Sequence, residues 1–301
     1  MIENSRLKLP VIVAPMFLVS GVELVVESCK AGMVGTFPAL NCRTTEQFEQ
    51  WLIEINKQLG PKAFFGVNLI VHKSNPRLMA DLEVCAKQKV PLIITSLGAV
   101  KDVVSAVQAY GGKVFHDVTQ AYHAQKAADA GVDGLILVSA GAGGHAGVLN
   151  PFALINEVKS FFKKTIVLAG AISTGREVLA AQVLGAEFAY MGTRFIASKE
   201  SLAADDYKAT LVKSTALDIV YTPAVSGIPA NFIRSSLEKA GYNEGQSHEP
   251  KKLSMSEEAK AWKDVWSAGH GVGQTRAIES VSQIATQLIK EYNEAMGEFK
   301  K

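Results

Sequence analysis

The chain has 301 residues, 48% hydrophobic and 20% charged, with 31 basic and 29 acidic side chains that leave a net charge of +2. That is ample apolar material for a large core, so disorder is excluded as the main state, and the length admits two domains or one large α/β barrel. The near balance of charge denies the chain the broad basic field that nucleic acid or an anionic membrane surface requires, which leaves a small molecule as the default partner.

The opening MIENSRLKLPVIVAPMF lacks the apolar run and small-residue cleavage site of a secretory signal. No apolar stretch approaches the roughly 20 residues of a membrane span, so a cytoplasmic protein is expected. Cys29, Cys42 and Cys85 include no CxxC pair, so neither a metal nor a redox couple is expected. Cys42 follows a predicted strand but has no obvious basic partner, and all three read as reduced thiols.

In chain order the predicted strands are VIVAP (11–15), VGTF (34–37), AFFGVNL (63–69), PLIITS (91–96), KVFHDV (113–118), GLILVS (134–139), TIVLAG (165–170) and FAYMG (188–192). Between them lie segments such as TEQFEQWLIEINKQL and AVKDVVSAVQAY, whose apolar residues recur at three and four and which read as helices. Eight such units favour a closed (β/α)8 TIM barrel over an open doubly wound sheet. TIVLAG and GLILVS are near-continuous apolar runs, as strands buried on both faces should be. The pattern spans residues 1–214. From 215 to 273 it breaks into TPAVSGIPANFIRSSLEKAGY, a polar stretch and WKDVWSAGHGVG, expected to form a smaller cap over the active-site face. Helical periodicity returns in 274–301, expected to pack back on the barrel.

In a barrel of this kind function sits at the carboxyl ends of the strands. The densest feature there is SAGAGGHAG, Ser139 to Gly147, directly after the sixth predicted strand. Gly141, Gly143 and Ala146 spell GxGxxA, but five βα units precede it and the next strand ends in Ala169-Gly170, so a Rossmann reading is rejected. AGAISTG (169–175) and MGTRF (191–195) follow the seventh and eighth strands, where barrel enzymes build a phosphate site from loop amides. Gly170, Ala171, Gly192 and Thr193 would supply it, with Arg194 either assisting or held in a rim ion pair. His145 sits among glycines that let backbone approach a ligand, and an imidazole there titrates near neutral pH.

PVIVAPM, FGVNL, AGGHAG, LAGAISTGR and LGAEFAYMGTRF together resemble the nitronate monooxygenase family, formerly the 2-nitropropane dioxygenases. The likeness spans the whole barrel and implies an FMN-dependent (β/α)8 oxidoreductase. The same general pattern is shared with FMN-dependent enoyl-ACP reductases and some NADH:quinone reductases. By this resemblance Pro15 and Met16 approach the flavin ring, Asn68 contacts its polar edge, and Gly143 and Gly144 lie against the cofactor. Gly170, Ala171, Gly192 and Thr193 hold its phosphate, and His145 falls on the active-site histidine. His270, in WSAGHGVG, lies in a segment that resembles one returning toward the cofactor, whereas His72, His123 and His248 read as surface or helix positions.

Two departures stand out. Relatives with defined activity often carry a lysine at the position of Asp117, and acidic residues where this chain has Val138 and Gly141. Asp117 either alters the tuning of the flavin or points to solvent or a neighbouring cation. The expected reaction is oxidation of an alkyl nitronate by O2 to a carbonyl compound and nitrite, by a protein that could also pair as a homodimer. The alternatives are an NAD(P)H-dependent quinone or enoyl-ACP reductase, for which Lys251-Lys252 could form part of a carrier-binding rim, and a flavin-binding protein without turnover.

Overall fold

The computed structural model describes residues 7–61, 63–72, 74–98, 101–242 and 262–299; His248 and Lys251-Lys252 lie outside them. Strands β1 (Val11–Val13), β2 (Val34–Pro38), β3 (Gly66–Ile70), β4 (Leu92–Ser96), β5 (Lys113–Val118), β6 (Gly134–Val138), β8 (Thr165–Ala169) and β9 (Phe188–Met191) form a closed barrel in that order. Every neighbouring pair is parallel, and β1 closes on β9 through Val11–Ala189, Ile12–Tyr190 and Val13–Met191. The expected (β/α)8 barrel is therefore present.

Its strands are apolar at successive positions because both faces are buried. One set of side chains, including Ile12, Val34, Ile94, Phe115, Ile136, Val167 and Phe188, fills the barrel interior. The alternate set, including Val67, Ile93, Val114, Leu135 and Leu137, packs against the surrounding helices. The helices obey the same economy. In α2 (Thr45–Leu59) the Thr44 side chain accepts from the Gln47 amide, Phe48, Leu52 and Ile55 form the buried stripe, and Gly60 ends the helix. In α7 (Gly175–Leu184) Thr174 and Glu177 make a capping box, and Gly185 at φ +102° stops the helix.

Past the barrel, α9 (Asp205–Lys213) is followed by β10 (Ile219–Thr222) and β11 (Ala230–Ile233), which pair antiparallel. β11 also pairs with β7, the two residues Gly144–His145, through Ala230–His145 and Asn231–Gly144. Sequence reasoning placed His145 on a loop; its backbone belongs to this small sheet. The last helix starts later than 274, at α11 (Val281–Phe299). Residues His270–Gln274 form a 3-10 turn instead, and Ser280 with Gln283 makes a reciprocal cap that sets the helix start, Gln283 Oε1 accepting from the Ser280 amide at 2.8 Å and Ser280 Oγ from the Gln283 amide at 3.2 Å.

α11 packs on α7 so closely that a Cβ at Gly175 would lie 2.0 Å from the Leu288 carbonyl and 2.4 Å from the Tyr292 amide. The Gly175 amide also donates to Glu291 at 2.7 Å. Gly175→Ala should therefore force the two helices apart and cost about 2 kcal/mol or more, read as a lowered midpoint in urea unfolding; an unchanged midpoint would contradict this packing.

Candidate functional site

A cavity of about 1550 Å³ opens at the carboxyl ends of the barrel strands, and Pro15, Met16, Asn68, Gly143, Gly144, His145, Gly170, Ala171, Gly192 and Thr193 all line it. That volume exceeds what one drug-sized ligand needs, so cofactor and substrate can share it. Four described non-glycine residues have positive φ, and three of them, Leu18 (59°), Leu97 (63°) and Ala171 (55°), line this cavity. Only Lys89, in the turn before β4, lies elsewhere. Such backbone costs free energy and collects where a site demands it.

The glycine-rich segments meet through specific bonds. Gly141, at φ +84°, presents its carbonyl to the amides of Ala171 (3.3 Å) and His270 (2.9 Å). Thr193 Oγ accepts from the Gly269 amide at 2.9 Å, so the hydroxyl proton of Thr193 remains to donate to an anion. Close approach requires glycine here: a Cβ at Gly170 would meet Ser139 Oγ at 2.2 Å, and one at Gly269 the Gly141 carbonyl at 2.5 Å. The Ala171 amide is spent on Gly141, while Gly170, Gly192 and Thr193, the last two at the start of α8 (Thr193–Ile196), line the cavity. Arg194 does not line the cavity. Its Nη2 bonds Glu279 at 2.6 Å and Gln287 at 3.1 Å, which is the rim ion pair.

His145 is half-buried, with Nε2 3.5 Å from Ser226 Oγ. Its ring meets Trp262 edge-on at 5.7 Å, and Trp262 in turn meets Phe232 at 5.5 Å. Tyr221 donates to the Ala146 carbonyl at 3.0 Å and Asn231 to the Ala142 carbonyl at 2.7 Å, so the segment after the barrel holds the histidine loop in place. His270 itself is exposed and does not line the cavity, although Gly269 and Gly271 do. Cys42 is fully buried and does not line the cavity, and burial pushes its thiol up to about 12.

Sequence reasoning singled out Asn68 and Asp117 but missed that Ser96 and Tyr190 join them in one polar floor. Asn68, Ser96, Asp117 and Tyr190 share the inward register of β3, β4, β5 and β9 and line the cavity. Asn68 Nδ2 donates to the Ile94 carbonyl (3.2 Å) and to Ser96 Oγ (2.8 Å), and Ser96 Oγ donates to Asp117 Oδ2 at 2.6 Å. Asp117 Oδ1 and the Tyr190 hydroxyl are buried without partners. Asp117 thus faces the barrel interior, not solvent, and among the described residues it has no cation partner. Burial pushes its carboxyl up to about 6, opposed by the Ser96 bond. Alternation along KVFHDV carried this signal, since Phe115 and Asp117 must share a face. Beside it, His116 bonds Thr95 at 2.8 Å, and burial, with His123 nearby, lowers its imidazole to about 4, so it stays neutral at pH 7.

Barrel, loops and cavity together define an α/β-barrel enzyme whose ligand pocket lies at the carboxyl ends of the strands. The nitronate monooxygenase family matches residues 75–291, and the chain belongs to that family. Its members are flavin-dependent oxidoreductases, generally using FMN. Among individual proteins, (3aS,4S,5R,7aS)-5-hydroxy-7a-methyl-1-oxo-octahydro-1H-indene-4-carboxyl-CoA dehydrogenase of Rhodococcus jostii is 29% identical over 240 residues, 78% of this chain and 67% of that protein. A nitronate monooxygenase of Paraburkholderia phytofirmans is 26% identical over 215 residues, 65% of this chain and 58% of its own length. The solved structure of FabK from Thermotoga maritima superposes with a TM-score of 0.82 at 26% identity, covering 99% of this chain and 97% of that one.

The Asp117 carboxyl is a weaker acid folded, at about 6, than in an unfolded chain, at about 3.9. Between these values the native state holds more protons, so the stability from this group is present at low pH and lost as pH rises through about 6. In cofactor-free protein, Asp117→Asn should flatten that loss in urea titrations run from pH 4 to 7; identical pH profiles would contradict the burial of the carboxyl.

Proposed function

We propose that the protein binds FMN in this cavity and oxidises an alkyl nitronate with O2 to a carbonyl compound and nitrite, as a small-molecule enzyme. The observation that carries the reading is the convergence of His145 with the loops after β8 and β9 in one cavity, in a chain of the nitronate monooxygenase family. The residues suit the group. Gly170, Gly192 and Thr193 offer backbone and one hydroxyl to a phosphate, with the loop shape kept by the strained Ala171. Pro15 and Met16 give an apolar wall for a ring. Both amide protons of Asn68 are committed, so it offers Oδ1, an acceptor for a ring N–H.

When bound, FMN supplies the electron transfer between substrate and oxygen. His145 can donate to a nitronate oxygen and hold the anion's orientation, or accept a proton from a nitroalkane carbon. Trp262, meeting the imidazole edge-on, limits how far that ring can turn. His145→Ala should retain FMN while lowering nitronate turnover about 100-fold, measured as nitrite release and oxygen consumption; nitronate turnover equal to that of the unaltered protein would refute the role.

One observation favours a second reading, reduction of a phosphate-bearing acyl thioester at the expense of NAD(P)H. The charged residues lining the cavity include Arg43, Arg77, Lys126 and Lys263, while Asp117 is the sole acid among the described lining residues. An anionic carrier would be drawn to such a mouth. This reading requires NADPH or NADH consumption with an enoyl-CoA, and its absence would leave the nitronate reading alone.

A further inference from the structure

Asp117 is the acid among the described cavity-lining residues, the proposed chemistry does not use it, and its hydrogen-bond inventory restricts what it can do. Asn68 and Asp117 are held side by side by the same hydroxyl, because Ser96 Oγ accepts from Asn68 at 2.8 Å and donates to Asp117 Oδ2 at 2.6 Å. The direction of that relay is forced: both Asn68 amide protons point to protein acceptors, one to the Ile94 carbonyl and one to Ser96, so the Ser96 proton must go to Asp117. What remains for the cavity is Asn68 Oδ1, which can only accept, and Asp117 Oδ1, which is buried and has no partner. The second unpartnered atom of the floor, the Tyr190 hydroxyl, is also buried.

An acceptor beside a protonated carboxyl is an acceptor–donor pair. It is complementary to the adjoining N–H and C=O of an imide, the group at the pyrimidine-dione edge of a flavin. An ionised Asp117 would instead set two acceptors side by side and bury a negative charge against a ring carbonyl, with no cation partner among the described residues to offset it. We propose that Asp117 is a cofactor-contacting residue that is protonated when FMN is bound and donates its Oδ1–H to a carbonyl of the ring's imide edge, next to the N–H taken by Asn68. This inference rests on the FMN reading and adds to it a residue, a protonation state and a pH dependence.

The other titratable groups around the carboxyl leave it as the one that changes charge between pH 6 and 8 on the floor itself. His116, on the same strand, is held neutral by burial and bonds Thr95. Tyr190 on β9 has its hydroxyl pushed well above the ordinary value by burial and by Asp117. His145 on β7, and His123 and Lys126 on α5 (Ala121–Asp129), line the same cavity. The unliganded carboxyl is already pushed up to about 6, and a ring laid over this half-buried, cavity-lining side chain removes the remaining solvent, so binding above that pH must draw in a proton.

The test is FMN binding to the cofactor-free full chain, followed calorimetrically from pH 6 to 8 in buffers of different ionisation enthalpy, for the unaltered protein and for Asp117→Asn. In the variant the amide oxygen accepts from Ser96 and Nδ2 points where the carboxyl proton would be, so it imitates the protonated state at every pH. Any protonation change at the FMN phosphate is common to both proteins and cancels in the comparison. The expected result is that the unaltered protein takes up as much as one proton more per FMN than Asp117→Asn. Its Kd should rise with pH relative to the variant's, approaching tenfold per pH unit above the unliganded value of about 6 and levelling off above the pKa of the bound state. Equal proton uptake and parallel Kd profiles would overturn the inference while leaving FMN binding intact. Absence of FMN binding by the unaltered protein would overturn the cofactor reading and this inference with it. Infrared difference spectra of the unaltered protein give an answer independent of the variant's folding: a protonated aspartic C=O band gained on FMN binding supports the proposal, and gain of carboxylate bands alone overturns it.

Discussion

The site depends on one carbonyl. Gly141 adopts a backbone conformation that costs a glycine little and most other residues more, and it thereby turns its oxygen toward two amides, Ala171 after β8 and His270 in the returning segment. Three stretches of chain far apart in sequence are joined at that atom. Each must be glycine-rich or small because they touch through backbone: a Cβ at Gly143 would meet the Gly269 amide at 2.9 Å, and one at Gly271 would meet Ser173 Oγ at 2.3 Å. The glycines of these loops therefore serve loop-to-loop contact as much as ligand approach. The positive φ of Ala171 is the local cost of the same junction.

On this junction the molecule assembles two unlike surfaces. Above it, β11 adds the backbone of Gly144–His145 to a small antiparallel sheet, and aromatic side chains back the imidazole. Below it, the inward ends of β3, β4, β5 and β9 replace aliphatic side chains with Asn68, Ser96, Asp117 and Tyr190. A barrel interior is close-packed and apolar a layer deeper, where Ile94, Phe115 and Phe188 sit, so the polar floor is worth its desolvation only if a ligand completes its hydrogen bonds. The charge of +2 spread over the whole chain gives no hint of this, since among the described lining residues several cations accompany a single acid, Asp117.

Much of the barrel was legible because parallel strands buried on both faces announce themselves as short apolar runs. All eight predicted runs correspond to barrel strands, with trimmed ends: Ala14 and Pro15 leave the sheet after Val13, and AFFGVNL begins pairing only at Gly66. The loops after the sixth, seventh and eighth barrel strands were legible through their glycines. The β10–β11 pair was not, although Ile219–Thr222 and Ala230–Ile233 flank a turn-rich TPAVSGIP stretch, because four-residue strands carry little periodicity. The partner of β11 is a two-residue strand inside a glycine loop, which no local pattern reveals. Asp117 was recognised as unusual, but its environment depends on Ser96 and Tyr190 across the barrel, a relation set by closure of the sheet and invisible along the chain.

The account stands most directly on anaerobic visible spectroscopy of the purified, FMN-loaded protein, with an alkyl nitronate, NADH and NADPH added in turn. It predicts that the nitronate bleaches the flavin and that neither nicotinamide does. Bleaching by NADH or NADPH, with none by the nitronate, would contradict it.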